Sequence, residues 1–221
     1  MTAASPPRTY HTIIPALSLV AGPLLMTVGD LLHPEERMAS TEQAAILATQ
    51  AGRWYVAHLL LFLGMMLFVP GLLALSGLTA VRRPALGYAA RILVLIGMAA
   101  VASVFVCEML VGRYVLDGAD SASAAALLES MLSGPMVAVV GPAMLAFFVG
   151  TAMFALPLVR SRGALGPSAA LLLTGVILIL AEIVSAQVIL SQIGNALALC
   201  GSASAARVIL RDASGGIAGR A

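Results

Sequence analysis

Five stretches of this chain stay apolar for long enough to cross a bilayer: Thr12–Leu32, Trp54–Ala80, Leu86–Val111, Met136–Val159 and Ala169–Leu190. A hydrocarbon core about 30 Å thick takes roughly 20 helical residues at about 1.5 Å each. Arg8 precedes the first stretch, as in a secretory leader. Its apolar run nevertheless continues to His33, past the length of a leader's core, so it reads as a retained span. Beyond Leu190 the pattern weakens into Ser191-Gln192-Ile193-Gly194-Asn195 and Ala-rich sequence with Arg207 and Arg211. A sixth span there is a poor fit, and 191–221 reads as a tail. The expectation is one transmembrane domain over 1–221, an all-α integral membrane bundle of five helices.

The connections differ on the two sides. Spans 2 and 3 are joined by a bare turn holding Arg82 and Arg83, and spans 4 and 5 by one holding Arg160 and Arg162. With Arg8 and Arg91 these make a basic side, which the excess of positive charge assigns to the cytoplasm together with the amino terminus. The other side holds Arg37, Arg53 and Arg113 among Glu35, Glu36, Glu42, Asp117, Asp120 and Glu129. Its two loops are long enough for short helices. Ser40-Thr41-Glu42-Gln43 resembles a capping box opening a helix that Gly52 closes, and Ser121 to Leu132 forms a second, stopped by Gly134-Pro135.

Composition agrees with lipid as the main solvent. Hydrophobic residues make up 61% of 221 and charged ones 10%, against roughly a quarter charged in soluble domains. A net charge of +2 supplies no clustered basic footprint, so nucleic acid is not an expected partner. Two cysteines make neither a disulfide framework nor a zinc finger. Every basic residue is Arg, and Ala and Gly are abundant, as in a GC-rich genome; the expected location is a bacterial plasma membrane. The bilayer is thus one partner, and no oligomeric state is implied.

An ionisable group at bilayer depth costs about 2.5–3.5 kcal/mol and calls for an explanation. Asp30 lies near the outer end of span 1, with His33 one turn on. His58 is about one turn into span 2, Glu108 about one turn below the end of span 3, and Glu182 deeper in span 5. All fall in the outer half. Along span 5 Glu182, Ser185, Ile189 and Gln192 continue a helical stripe, with Gln187 and Ser191 close by. Trp54, Phe62, Phe105 and Tyr114 belong to the same layer. Gly22-Pro23, Pro70-Gly71 and Gly141-Pro142 interrupt three spans, and together such breaks favour a cavity between helices.

What chemistry this layer carries follows from its residue types. His33 and His58 with Asp30, Glu108 or Glu182 could ligate zinc, but no HExxH or His pair at i, i+4 occurs, and no metal or other cofactor is expected. There is no GxSxG elbow, P-loop or dinucleotide fingerprint. Proton chemistry suits isolated carboxyls better. Glu182 is the expected proton donor, Asp30 and Glu108 the second acid or base, and His58 their orienter. Trp54, Phe62, Phe105 and Tyr114, with Gln187, are the expected substrate-binding residues, the aromatic faces stabilising a cation.

Five spans in some 220 residues, with Asp30, His58, Glu108, Glu182 and a Trp converging in one leaflet, resemble two groups of enzymes. One is the small membrane-embedded terpene cyclases of meroterpenoid and indole-terpenoid pathways. The other is the five-helix sterol-isomerase group. The likeness is architectural and rests on no signature string. It implies metal-independent, acid-initiated carbocation chemistry on a prenylated, terpenoid or other lipophilic small molecule. Two other classes compete: a proton-coupled transporter or channel subunit, and a non-catalytic membrane protein whose polar network fixes helix register.

Overall fold

A computed structural model describes residues 10–34, 40–131, 133, 135–161, 163–185 and 187–218. Arg8, Glu35, Glu36, Arg37, Leu132, Gly134, Arg162 and Arg220 lie outside the described residues, as do the side chains of Ser40 and Thr41 in the expected capping box. Among the described residues the chain forms seven α-helices. These are α1 (Tyr10–Leu32), α2 (Ser40–Arg82), α3 (Pro84–Leu116), α4 (Ser121–Met131), α5 (Pro135–Val159), α6 (Leu165–Ser185) and α7 (Val188–Ala218). All but α4 are long and apolar enough to cross a membrane.

The architecture is therefore an α-helical membrane-type bundle, with six candidate spans where five were expected. The additional one is α7, whose stretch Val188–Arg211 has the lowest mean hydropathy of the six, 1.4. Its Ala, Gly, Ser and Asn residues depress hydropathy, yet small residues are what let helix backbones approach closely in lipid. A Cβ on Gly201 would come within 2.6 Å of the Leu172 nitrogen, and Gly194 sits against Gly175. The residues expected to form a tail from 191 onward are thus helical as far as 218.

The expected fifth span, Ala169–Leu190, is also corrected. Helix α6 ends at Ser185 and α7 begins at Val188, with Leu190 N–H donating to the Gln187 carbonyl at 2.9 Å. Neither Pro nor Gly marks the turn, so the apolar pattern runs straight across it. What reverses the chain is the packing of α7 against α6 and α1. The stripe from Glu182 to Gln192 is consequently split between two helices.

Packing neighbours run α1–α2, α2–α3, α3–α5, α5–α6, α6–α7 and α7–α1, which closes a ring. Short connections between successive spans alternate their direction. One end of the ring carries Leu32, Trp54 and Leu116 and is called the site end here. The other, the basic end, carries Arg82, Arg83 and Arg160. A core including Leu19, Phe68, Leu72, Val94, Phe147, Phe154 and Leu172 fills the interior.

Both expected loop helices form at the site end, the first without its expected close at Gly52. It is the opening of α2, which bends at Gln50 (φ −129°, ψ 19°) and runs on through Gly52 into the span; the helical assignment continues through Pro23, Pro70 and Pro142. The second is α4, whose preceding Asp120 accepts the Ser123 N–H at 2.9 Å, a cap of the usual kind. That bond and the Ser123 hydroxyl hold the Asp120 carboxyl below its ordinary range. Leu47 of α2 and Ala124, Ala125 and Leu128 of α4 bury themselves against Trp54 and Val111. These helices form a cap over the bundle end.

Candidate acid–base site

Beneath that cap the outermost turns of α1, α2 and α3 bring three titratable side chains together. His58 is 1% exposed. Its Nε2 lies 2.9 Å from Glu108 Oε2 and 3.0 Å from His33 Nε2. Trp54, also 1% exposed, is the chain's one tryptophan. Its ring centroid stands 4.6 Å from that of His58 and 5.0 Å from that of His33. The indole N–H donates to the Glu108 backbone carbonyl at 2.8 Å, tying α2 to α3. Arg53 closes the end of α1 by donating to the Leu32 carbonyl at 2.6 Å, a favourable place for a cation.

Proton counting defines the state of this cluster. His58 Nδ1 lies 2.8 Å from the Trp54 carbonyl oxygen, and His33 Nδ1 lies 2.7 Å from that of Pro34. Carbonyls only accept, so both Nδ1 atoms carry hydrogen. In two neutral rings both Nε2 atoms would then present lone pairs to each other across 3.0 Å. A single N–H on His58 Nε2 relieves that opposition and faces two acceptors, Glu108 Oε2 at 2.9 Å and His33 Nε2 at 3.0 Å. Burial, the neighbouring His58 and, more weakly, Arg53 push the His33 imidazole down to about 4, against the pull of its Pro34 hydrogen bond. No group of three His, Cys, Asp or Glu side chains among the described residues is arranged to hold a metal.

A second group lies one turn away. Asp30 of α1, whose carbonyl accepts the His33 backbone N–H at 3.2 Å, is half-buried. The Ser191 hydroxyl stands 3.3 Å from its Oδ1, and the Asn195 side chain hydrogen-bonds it as well. Both partners belong to α7. Glu182 of α6, half-buried, is close enough for its charge and that of Asp30 to act on each other.

The four expected acid–base residues therefore occupy one end of the ring as two pairs, His58–Glu108 and Asp30–Glu182, joined through α1. His33 links them and was not among the expected catalytic residues; its signal was the shared face with Asp30. Asn195 was hidden by reading its helix as a tail, and Ser191 was placed beside the stripe of span 5 rather than opposite Asp30. The expected substrate-binding residues fare unevenly. Trp54 is the buried scaffold of the histidines, with no free face. Phe105 is half-buried, its centroid 6.3 Å from that of His58. Phe62 lines a shallow open groove of about 300 Å³ with Ala102, Ser103, Val106 and Cys107. Tyr114 is 51% exposed; six residues beyond Glu108, it lies about 120° around the helix from that face. Gln187 is exposed at the α6–α7 turn. An enclosed apolar cavity near the basic end, lined by Leu75, Phe154, Leu158 and Leu172 among others, holds about 10 Å³, too little for more than about one water.

No family model, curated protein or solved structure matches the chain. The site has to be read from its own geometry.

Proposed function

We propose that this protein is a membrane-embedded acid–base enzyme that isomerises or cyclises a prenylated, terpenoid or similarly lipophilic substrate. What carries the reading is the Glu108–His58–His33 array, buried side chains within hydrogen-bonding distance of one another at the capped end of the bundle. Isomerisation removes one proton and returns another, and a relay poised between two imidazoles serves both steps. That suits a double bond beside a carbonyl, whose allylic proton an imidazole can remove and return; toward an isolated double bond an imidazolium is a weak acid. The cyclase branch draws its acid from the Asp30–Glu182 pair, with Glu182 as donor and Asp30 as its partner. The apolar groove beside Phe62, at the lower end of ligand-site volumes of about 300–1,000 Å³, suits part of an alkyl or isoprenoid chain.

The same reading places the protein in a bacterial plasma membrane with its amino terminus cytoplasmic. Six crossings return the carboxyl terminus to that side. Arg207 and Arg211 then join Arg82, Arg83 and Arg160 on the positive face, whereas five crossings would leave them outside. Tags at the two ends should accordingly be accessible from the same side of sealed vesicles.

Membranes containing the protein are expected to convert a prenylated substrate. His58→Gln should abolish conversion by the isomerase route, and Glu182→Gln conversion by the cyclase route, both without loss of expressed protein. Full activity in both variants would remove the site from the reaction. Proton transport, which also suits intramembrane carboxylates, has weaker support because the titratable groups gather at one end of the ring.

A further inference from the structure

Far from this site, Arg91 lies about two turns into α3 from the basic end. Three contacts hold its guanidinium in one pose. Nε donates to Ser76 Oγ at 3.1 Å. Cζ lies 5.5 Å from the centroid of the Tyr88 ring. The group also occupies the space left by Gly77, where a Cβ would come within 2.6 Å of Nη2. A guanidinium has five N–H donors, and Ser76 takes one. Among the described residues no carboxylate pairs with it.

A fixed, half-buried cation at membrane depth without a counter-ion is costly, so its anion should come from outside the chain. Helical side chains lean toward the amino-terminal end of their helix, and arginine extends its head toward the nearest interface. The guanidinium lies against Ser76 and Gly77, on the side from which the α2–α3 turn with exposed Arg82 and Arg83 is about two helical turns away. Exposed Leu78 and Val81 of α2 and Ile92, Leu95 and Ile96 of α3 provide apolar surface for chains beside it. Guanidinium matches phosphate oxygens in a two-point hydrogen-bonded pair.

We propose that Arg91, supported by Arg82 and Arg83, binds the phosphate of an anionic phospholipid in the leaflet at the basic end, along the α2–α3 seam. The lipid's phosphate supplies the missing counter-ion, and its chains lie on the apolar flank. Ser76 and Gly77 set the pose of the guanidinium, and Tyr88 backs it.

Lipid retention can be read by native mass spectrometry of the purified full chain in detergent. The probes are phosphatidylglycerol, a diacylglycerol with the same chains, and inorganic phosphate. Phosphatidylglycerol should stay bound and diacylglycerol should not. Arg91→Gln should lower retention about fivefold or more, the weight of one arginine near a charged membrane surface. Gly77→Val keeps the charge but evicts the guanidinium from its slot, and should lose retention likewise; it also serves if Arg91→Gln fails to fold. Unchanged retention in a folded Arg91→Gln or Gly77→Val variant would overturn the proposal. So would equal retention of diacylglycerol, or displacement by millimolar inorganic phosphate, which would make the ligand a free anion.

Discussion

The ε nitrogens of His33 and His58 face each other at 3.0 Å while each ring spends its δ hydrogen on a backbone carbonyl, and Glu108 Oε2 stands 2.9 Å from the same His58 nitrogen. The end of the bundle is thus one hydrogen-bonded acid–base cluster built from three segments. The consequences are open to measurement.

The His58–Glu108 pair is buried on both sides. Replacing His58 by Leu leaves the carboxylate without its partner, which for buried pairs costs about 3–5 kcal/mol. Replacing both residues by Leu should recover much of the loss. A double-mutant cycle on unfolding in detergent checks this. Additive effects of the two single changes would deny the coupling.

His33 couples stability to pH. Its folded value of about 4 lies below the usual 6.5, so the unfolded chain binds more protons between those two values. The native state is at full strength above about pH 6.5 and weakens as pH falls toward 4, by about 3 kcal/mol in all. His33→Gln should flatten that part of the stability profile. A profile equally steep in the variant would assign the dependence to other groups.

Trp54 reports on the site directly, being the chain's one tryptophan and in tilted ring contact with both histidines. Contact with a histidine ring quenches indole emission, so His58→Gln should brighten the fluorescence of the folded protein. Trp54→Phe should cost about 1 kcal/mol for the lost hydrogen bond to the Glu108 carbonyl, with a further loss for the smaller ring. An emission unchanged by His58→Gln would separate the indole from the charge.

Close approach between α6 and α7 accompanies the sixth candidate span, formed by an unpromising sequence. A side chain at Gly175 would collide with the backbone at Gly194 and Ala198. Gly175→Val should therefore loosen α7 and remove Ser191 and Asn195 from Asp30, lowering thermal stability and any activity that uses Asp30. A variant with wild-type melting would show that the two helices pack elsewhere.

Much of the plan was legible along the chain. The runs ending at Leu32, Ala80, Val111 and Val159 mark spans because a bilayer leaves apolar length as the dominant signal. The loop helices at Ser40 and Ser121 were visible from their polar openings and small-residue bodies. The depth of Asp30, His58, Glu108 and Glu182 could be counted from the span ends. Less legible were the turn at Gln187, which lacks any breaker residue, and α7, whose small residues lower the hydropathy by which spans are recognised.

What the sequence by itself determined is therefore the solvent, the helical class and the end of the bundle to which the scarce polar groups belong, because each depends on residue type and spacing within one segment. Only the tertiary structure decided which groups meet. Closing six helices into a ring put His33 against His58, gave Asp30 its partners on α7, buried Trp54 as scaffold and left Tyr114 and Gln187 exposed. Those outcomes depend on helix rotation and neighbour choice, which are set by contacts between residues far apart in the chain, such as Gly175 with Gly194 and Trp54 with Glu108.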